Sequence, residues 1–415
     1  MNICVTVNSL YMKYLYIMLQ SLYENNEDGS ITLYVLQKDF TNDDKNEIIE
    51  LTNKYNNKVE FIWVDPNKFS ELPDTFKTKS NLSVEILFRL LIPELLPSYV
   101  DRVLLLDVDI VVNKDISEMY YTNLDDYLFA AVPNIGANCE VLPVFRNWYN
   151  PDRTHWTHFN TGVLLWNLDK IRNEYPYEYI FNSAKRHQDI LKPQFEEELF
   201  NVEFGEFLIK PLSEEWNYQS RVLVIKRNNP KYCIYDTLEM LKENCNIIHY
   251  VDTNPWNFGV KDISYQFWWE YCKKTKFYYE ILENVYFTTE KNILSDDVLI
   301  KCIKDKKGMK KTIFPKDVVE SKDNVILYGA GKIGKIFMNQ NMNGRFCNII
   351  DWVDNNYINI GFPVNSPSDI SNKEYDKVLI AIESQVIADE IKAQLIEQNI
   401  PSEKIVWKYP HIFKG

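Results

Sequence analysis

Asp107 and Asp109 stand two residues apart in the run VLLLDVDIVV, Val103 to Val112, where every other residue is aliphatic. Unpaired charges are expensive to bury, and like charges this close repel, so the pair needs a partner or a shifted pKa. Side chains two apart on a strand face the same way, which turns both carboxylates to one side and Val108 to the other. A divalent cation would answer both penalties. Carboxylate oxygens suit Mg²⁺ and Mn²⁺, which keep open positions for phosphate oxygens, and ligands usually bind at the carboxyl ends of strands in open α/β sheets. A bare D-x-D also fits an ordinary strand end whose aspartates cap loop amides or pair with lysines. A second signature lies far along the chain. There VILYGAGKIG sets Gly329, Gly331 and Gly334 in the G-x-G-x-x-G spacing, with Asp351 and Asp354 about 20 residues further on. A nucleotide or dinucleotide phosphate would suit the helix N-terminus that follows such a turn, although packing, dimerisation or acceptor recruitment would use the same strand, turn and helix.

The elements that must position these residues alternate between strand and helix patterns. NICVTV, ITLYVL and VEFIWV read as strands, separated by the helix-like YMKYLYIMLQSLYENN and KNEIIELTNKYN. That alternation is the mark of an α/β sheet covered by helices. SVEILFRLLIPELLP reads as another helix leading into VLLLDVDIVV, whose unbroken apolar lead suits a central buried strand. LFAAVP and HFNTGVLLWNL follow as strands, then KPQFEEELFNVEF as an acidic helix, then PLSEEWNY and NIIHYVDTNPWN. Residues 1–282 are expected to form one domain, the lysine-rich 283–320 with KCIKDKKGMKKT a linker, and 321–415 a smaller α/β domain. YQFWWEYCKKTKFYYE mixes aromatics with Lys273, Lys274 and Lys276. It is read as a helix packed on the first domain, with a membrane-surface helix as the alternative.

At 415 residues two domains are expected, and 46% hydrophobic with 25% charged residues is ordinary for a globular protein. The net charge of -13 argues against a broad nucleic-acid surface. A polyphosphate ligand would need a metal ion or local groups to offset the repulsion. The seven cysteines are scattered, with no C-x-x-C pair, which favours a reducing setting. Met1 runs straight into NICVTV without a basic n-region, and no apolar run approaches the roughly 18 residues of a membrane span. A cytoplasmic protein is expected, at most peripheral at the inner face of the membrane.

Taken in order, SVEILFRLLIPELLP, DRVLLLDVDIVVNKDI, HFNTGVLLWNLDKI, PLSEEWNY and IIHYVDTNPWN resemble the retaining, metal-dependent nucleotide-sugar glycosyltransferases of family 8. The resemblance implies a GT-A fold, an α/β nucleotide-diphospho-sugar transferase domain. The C-terminal segment resembles the Rossmann-like α/β domains appended to some bacterial sugar-modifying enzymes. By this resemblance Asp107 and Asp109 are the D-x-D metal ligands and His249 is the third, holding Mn²⁺ or Mg²⁺. Thr6, Val7, Asn8 and Tyr11 are similar to the nucleobase pocket, where an aromatic face stacks on uracil, although Tyr11 also fits a core position. Arg89 resembles the donor-sugar arginine, Asn160 of FNTGV the asparagine that faces that sugar, and Val108 completes the donor-binding D-x-D segment.

The chain departs from the family pattern twice. Where the family shows D-Q-D-x-L-N, this sequence has EEELFN. The best match puts Glu198 at the donor-sugar carboxylate and Glu197 at the position beneath the anomeric carbon, with Glu196 nearby; a solvated helix face is the alternative for all three. HQDIL, His187 to Leu191, looks similar but lies too early and is set aside as a decoy. The family's diphosphate lysine before PW is Asn254 here, which leaves the metal to carry more of the charge, a substitute such as Lys261, or weakened catalysis.

The implied reaction moves a hexose, galactose first and glucose next, from a UDP-sugar donor to a glycan acceptor with its anomeric configuration kept. Glycoprotein, capsule and lipid-linked glycan are all open as acceptors. The metal would stabilise the leaving diphosphate, and Glu197 or Glu198 the positive charge at the anomeric carbon. A peripheral membrane contact and a homodimer are further expectations. Two other classes stay open: an NAD(P)-binding oxidoreductase built on the C-terminal glycines, and a non-catalytic sugar-nucleotide-binding scaffold.

Overall fold

The computed structural model describes residues 1–27, 30–72, 84–135, 157–187, 195–205, 207–220, 235, 237–251, 254–257, 262–282, 284, 310–360 and 364–413. The chain divides into two compact units, Met1–Asn254 and Pro255–Gly415.

In the first unit, seven described strands form one sheet: β1 (Asn2–Thr6), β2 (Thr32–Gln37), β3 (Lys58–Trp63), β4 (Arg102–Leu106), then β6 (Phe129–Pro133), β7 (Phe159–Asn167) and β8 (Ile209–Pro211), with β5 (Ile110–Val112) outside it. Their order is β3-β2-β1-β4-β7-β6-β8. The first four run parallel, and β7 then runs antiparallel to both β4 and β6, so the sheet is mixed. Helices Met12–Glu24 and Asn42–Lys54 supply the α/β alternation. Asn42–Lys54 starts on a capping box in which Thr41 and Asp44 satisfy each other's backbone amides. β7 is buried along almost its whole length, and Trp166 on it meets Phe129 edge-on at 4.8 Å and Phe200 at 5.3 Å. These aromatic contacts fix the helix Phe195–Phe204 against the sheet through Leu199, Phe200 and Phe204.

VLLLDVDIVV is not one strand. It breaks at Asp107–Asp109, so that β4 ends in the seven-stranded sheet and β5 begins in a second sheet of order β5-β10-β9, with β9 (Tyr218–Gln219) and β10 (Ile247–His249). Each aspartate closes a different ladder: the Asp107 amide donates to the Gly162 carbonyl at 2.8 Å, and the Asp109 carbonyl accepts from the Tyr250 amide at 2.9 Å. β5 is held from behind by the helix Met12–Glu24 and its cap, where Ser21 Oγ accepts from the Val112 amide at 3.0 Å and Asn25 Nδ2 donates to the Val112 carbonyl at 3.0 Å.

The expected helix over SVEILFRLLIPELLP is a 3₁₀ turn series, Val84–Leu91, before the short helix Ile92–Leu95. Pro93 lacks the N–H that an α-helix would give to the Arg89 carbonyl. Among the described residues no helix is long and apolar enough to cross a membrane.

The second unit carries a parallel sheet of β12 (Asn324–Tyr328), β13 (Asn348–Val353), β14 (Lys377–Ile380) and β15 (Ile405–Trp407) in the order β13-β12-β14-β15, with helices Lys332–Gly344 and Gln385–Glu397 between strands. This is the smaller Rossmann-like α/β arrangement. Most of 283–320 lies outside the described residues; where description resumes, β11 (Lys310–Thr312) pairs antiparallel with β16 (His411–Phe413). The aromatic helix Tyr265–Lys273 belongs to this unit and buries Tyr265, Phe267, Trp268, Trp269 and Cys272.

The carboxylates expected to meet a ribose after the glycine turn are engaged in the unit's own structure. Asp351 is fully buried, with Lys273 Nζ at 3.0 Å, Lys373 paired to its other oxygen, and Asn365 donating at 2.7 Å. Asp354 accepts from the Ala330 amide at 2.7 Å, within the turn that would otherwise face a phosphate. Gly329 has φ +105°, open to glycine at little cost. Gly334 packs so close that an added Cβ would lie 1.8 Å from the Gly329 carbonyl oxygen, whereas a Cβ at Gly331 would meet nothing within 4 Å. Gly334→Ala is therefore expected to destabilise this unit by about 1–3 kcal/mol through overpacking, and Gly331→Ala to leave it unchanged within about 0.5 kcal/mol. Hydrogen exchange of the β12 and β13 amides in the full chain reads both, and equal protection in the two variants would contradict the close-packing role of Gly334.

Candidate active site

The break at Asp107–Asp109 lies at the carboxyl edge of the sheet, where β1 and β4 are neighbours. Thr6, Val7 and Asn8 leave β1 at the same edge. Asn8 Oδ1 accepts from the Tyr11 amide at 3.1 Å, and Tyr11 is 40% exposed, so it is no core residue.

Across β5, His249 extends the second sheet and is buried. Its Nε2 lies 3.4 Å from Asp109 Oδ1 and 4.0 Å from Asp107 Oδ2. Among the described residues Asp107, Asp109 and His249 are the group able to hold a metal ion, with ligand atoms within 4.8 Å of one another. Space for that arrangement comes from Gly162 on β7, where a Cβ would sit 2.2 Å from His249 Cε1 and 2.7 Å from Asp107 Oδ2.

Arg89, almost fully buried, donates to Asp107 Oδ1 at 2.7 Å, and its Nη1 lies 3.5 Å from Glu196 and 3.4 Å from both the carbonyl and hydroxyl of Thr161. Three successive glutamates on a helix leave it about 100° apart, and here each meets a different partner. Glu196 faces Arg89. Glu197 accepts from Asn134 Nδ2 at 2.7 Å on one oxygen, and from Asn160 Nδ2 at 2.9 Å and the Thr161 amide at 3.4 Å on the other. Glu198 is buried, 3.3 Å from His158 Nε2, while His158 Nδ1 lies 3.6 Å from Glu197. The triplet is thus not a solvated face. It also occupies the first turn of its helix, where the backbone dipole favours negative charge. Asn201, closing the motif, pairs reciprocally with the Phe159 backbone at 2.6 and 2.8 Å and fixes the helix to the start of β7.

His249, Asn217, Asn160 and Glu197 form one hydrogen-bonded chain. His249 Nδ1 meets Asn217 Oδ1 at 3.0 Å, Asn217 Nδ2 donates to Asn160 Oδ1 at 2.7 Å, and Asn160 Nδ2 donates to Glu197. Asn217, His158, Asn134, Thr161 and Gly162 are site residues that sequence reasoning did not single out. Asn217 lies in the quoted PLSEEWNY and His158 opens HFNTGV, so position within the motifs was the available signal. Asn254 is half-buried, and its Oδ1 accepts no hydrogen bond among the described residues. Lys261 lies outside them, as do residues 188–191 of HQDIL, whereas His187 pairs with Glu203.

A model of glycosyl transferase family 8 matches residues 2–259. The chain belongs to this family. A second model, C2185-like, N-terminal, matches residues 321–406. The family-8 chain is 23% identical over 281 residues to general stress protein A of Bacillus subtilis (66% of this chain, 94% of the relative). It is 24% identical over 232 residues to a putative glycosyltransferase of Haemophilus influenzae (55% of this chain, 67% of the relative). Its fold is that of the galactosyltransferase LgtC solved in complex with donor and acceptor sugar analogs, at TM-score 0.53 and 20% identity, covering 66% of this chain and 96% of that one. The first unit of this family-8 glycosyltransferase therefore has the GT-A fold, and metal use is typical of the family.

Among the described residues five carboxylates surround one arginine and two histidines, so even with both imidazoles protonated negative charge is in excess. Burial first, with Asp107 and Glu197 adding to it, pushes the Glu196 carboxyl up to about 7 in spite of Arg89. Burial also raises Glu197. Burial disfavours the imidazolium of His158, but Glu198 and Glu197 outweigh it and hold its pKa above the ordinary value. A carboxyl or imidazole whose folded pKa is raised keeps its proton more tightly when folded, so its stabilisation is lost as pH rises through the folded value. Metal-free protein is therefore expected to lose thermal stability from about pH 4.5 to about pH 7 as Glu196 ionises, by roughly 2–4 °C for each kcal/mol. Melting curves in EDTA check this, and Glu196→Gln should flatten the dependence.

Proposed function

We propose that the chain transfers a hexose, galactose first and glucose next, from a UDP-sugar to a glycan acceptor with retention of configuration, using Mn²⁺ or Mg²⁺ held by Asp107, Asp109 and His249. The observation that carries this reading is the convergence of two carboxylates and one imidazole nitrogen at the sheet edge where β1 delivers Tyr11. The donor set is the hard oxygen and imidazole combination that these ions accept. The gap left by Gly162 and the surplus of negative charge fit a cation as well. When bound, the ion supplies Lewis-acid stabilisation of the charge that develops on the departing diphosphate.

The chain's own residues do the rest. Tyr11 offers an exposed aromatic face to the nucleobase, beside Thr6, Val7 and Asn8. Val108 and Asn254 line the donor path. Arg89 orients Asp107 and brings Glu196 to the sugar side. That makes Glu196 better placed than Glu198 as the carboxylate on the donor sugar, because Glu198 is buried against His158. Glu197, held by Asn134 and Asn160, is the fixed negative charge beneath the anomeric carbon, where positive charge grows as the bond to the diphosphate lengthens. The likeness in fold to a galactosyltransferase makes galactose the first sugar to test.

Incubation with a panel of UDP-sugars and Mn²⁺ is expected to release UDP from one or two donors, and EDTA to stop it. No release with any donor, slow hydrolysis included, would sink the enzyme reading in favour of a sugar-nucleotide-binding scaffold. Asp109→Asn is expected to abolish metal-dependent UDP binding in a titration, and unchanged binding would remove Asp109 from the ligand set. Gly162→Ala, whose Cβ would collide with His249, is expected to weaken Mn²⁺ binding at least about ten-fold with an unchanged circular-dichroism spectrum.

A further inference from the structure

The hydrogen-bonded chain from His249 to Glu197 has a direction, and one backbone group sets it. The Gly162 amide donates to the Asn160 side chain at 3.1 Å. A backbone N–H is only a donor, so the Asn160 atom facing it is the carbonyl oxygen. Asn217 approaches that same oxygen at 2.7 Å, which requires its NH₂ group there. The other end of the Asn217 amide, its oxygen, then faces His249 Nδ1 at 3.0 Å, and this nitrogen must carry a hydrogen. In a neutral imidazole that leaves Nε2 as the lone pair, on the side of Asp109 and Asp107. In the other direction, the Asn160 NH₂ is left facing Glu197, which as a carboxylate only accepts. Asn217 is fully buried and Asn160 and His249 nearly so, so no exchange with water relaxes the choice.

We propose that Asn217 is a positioning residue: its one amide sets His249 in the Nδ1–H tautomer with Nε2 presented to the cation, and holds Asn160 onto Glu197. The two ends of the site are thereby set by a single backbone N–H, that of Gly162. The inference rests on the metal-holding role given to His249 above. It adds that the tautomer is fixed before any ion arrives, and that a residue touching neither ion nor sugar fixes it.

The decisive measurement is the ¹⁵N spectrum of the imidazoles in metal-free full-length protein, with the pH raised until the His249 ring is neutral. The chain has five histidines, and substitution of His249 assigns its signals. His249 is expected as Nδ1–H in the wild type. In Asn217→Ala it is expected to shift toward Nε2–H, because the carboxylates of Asp109 and Asp107 beside Nε2 are then left to accept from the ring. Calorimetry with Mn²⁺ alone should show affinity about 10–100-fold lower for Asn217→Ala. Asn217→Asp, which can accept from His249 but cannot donate to Asn160, is expected to keep the Nδ1–H tautomer yet raise KM for the donor or lower kcat through Glu197.

A wild-type His249 in the Nε2–H form would overturn the proposal, as would an unchanged tautomer and Mn²⁺ affinity in a folded Asn217→Ala variant. If that variant does not fold, the wild-type spectrum alone decides. Absence of Mn²⁺ uptake by the wild type would instead strike the metal reading, and the metal-free spectrum would still judge the direction of the chain.

Discussion

The site is organised around a shortage of positive charge. Among the described residues Arg89 is its one permanent cation, and that single guanidinium touches both Asp107 and Glu196. Every other arrangement follows from how the remaining negative charge is accommodated. Glu197 is surrounded by amide donors, His158 stands between two glutamates, and Glu196 holds its proton to near neutrality. Gathering five carboxylates, two of them buried, without such provision would cost more than a domain of this size has to spare.

Much of this was legible in the sequence, and what was not has physical causes. The pairing of Asp107 with Asp109 could be read from spacing, but through the wrong geometry. A run of eight aliphatics around them reads as one strand, because hydrophobic continuity does not reveal that the chain leaves one sheet and enters another between Leu106 and Ile110. The glutamate triplet was ambiguous for a related reason. Helical position alone cannot distinguish three exposed acids from three with inward partners; the difference lies in Arg89, His158 and Asn160, which arrive from other elements. His158 and Asn217 are not legible in the sequence because a residue that acts on another residue, rather than on a ligand, leaves no chemical signature of its own in a linear motif.

The C-terminal glycines illustrate the opposite case. Their spacing suits a phosphate ligand and plain packing alike, and the strand, turn and helix that it demands are present. Asp354 meets the turn amide and Asp351 pairs with two lysines, so the features that signal a bound ribose serve to close the unit on itself. Gly334 is needed for the close approach of helix and strand whether or not anything binds.

Because Asp107 terminates one sheet and Asp109 begins the other, the gap between the two carboxylates is a mechanical property of the seam between the sheets. That seam is held from behind, by Ser21 and Asn25 reaching Val112. Neither residue touches the site, yet both stand on the support that aims Asp109. Sequence drift in the interior face of the helix Met12–Glu24 is accordingly constrained by the spacing of the aspartates as well as by packing, and the boundary of the active site, counted in residues that must not move, runs well inside the core.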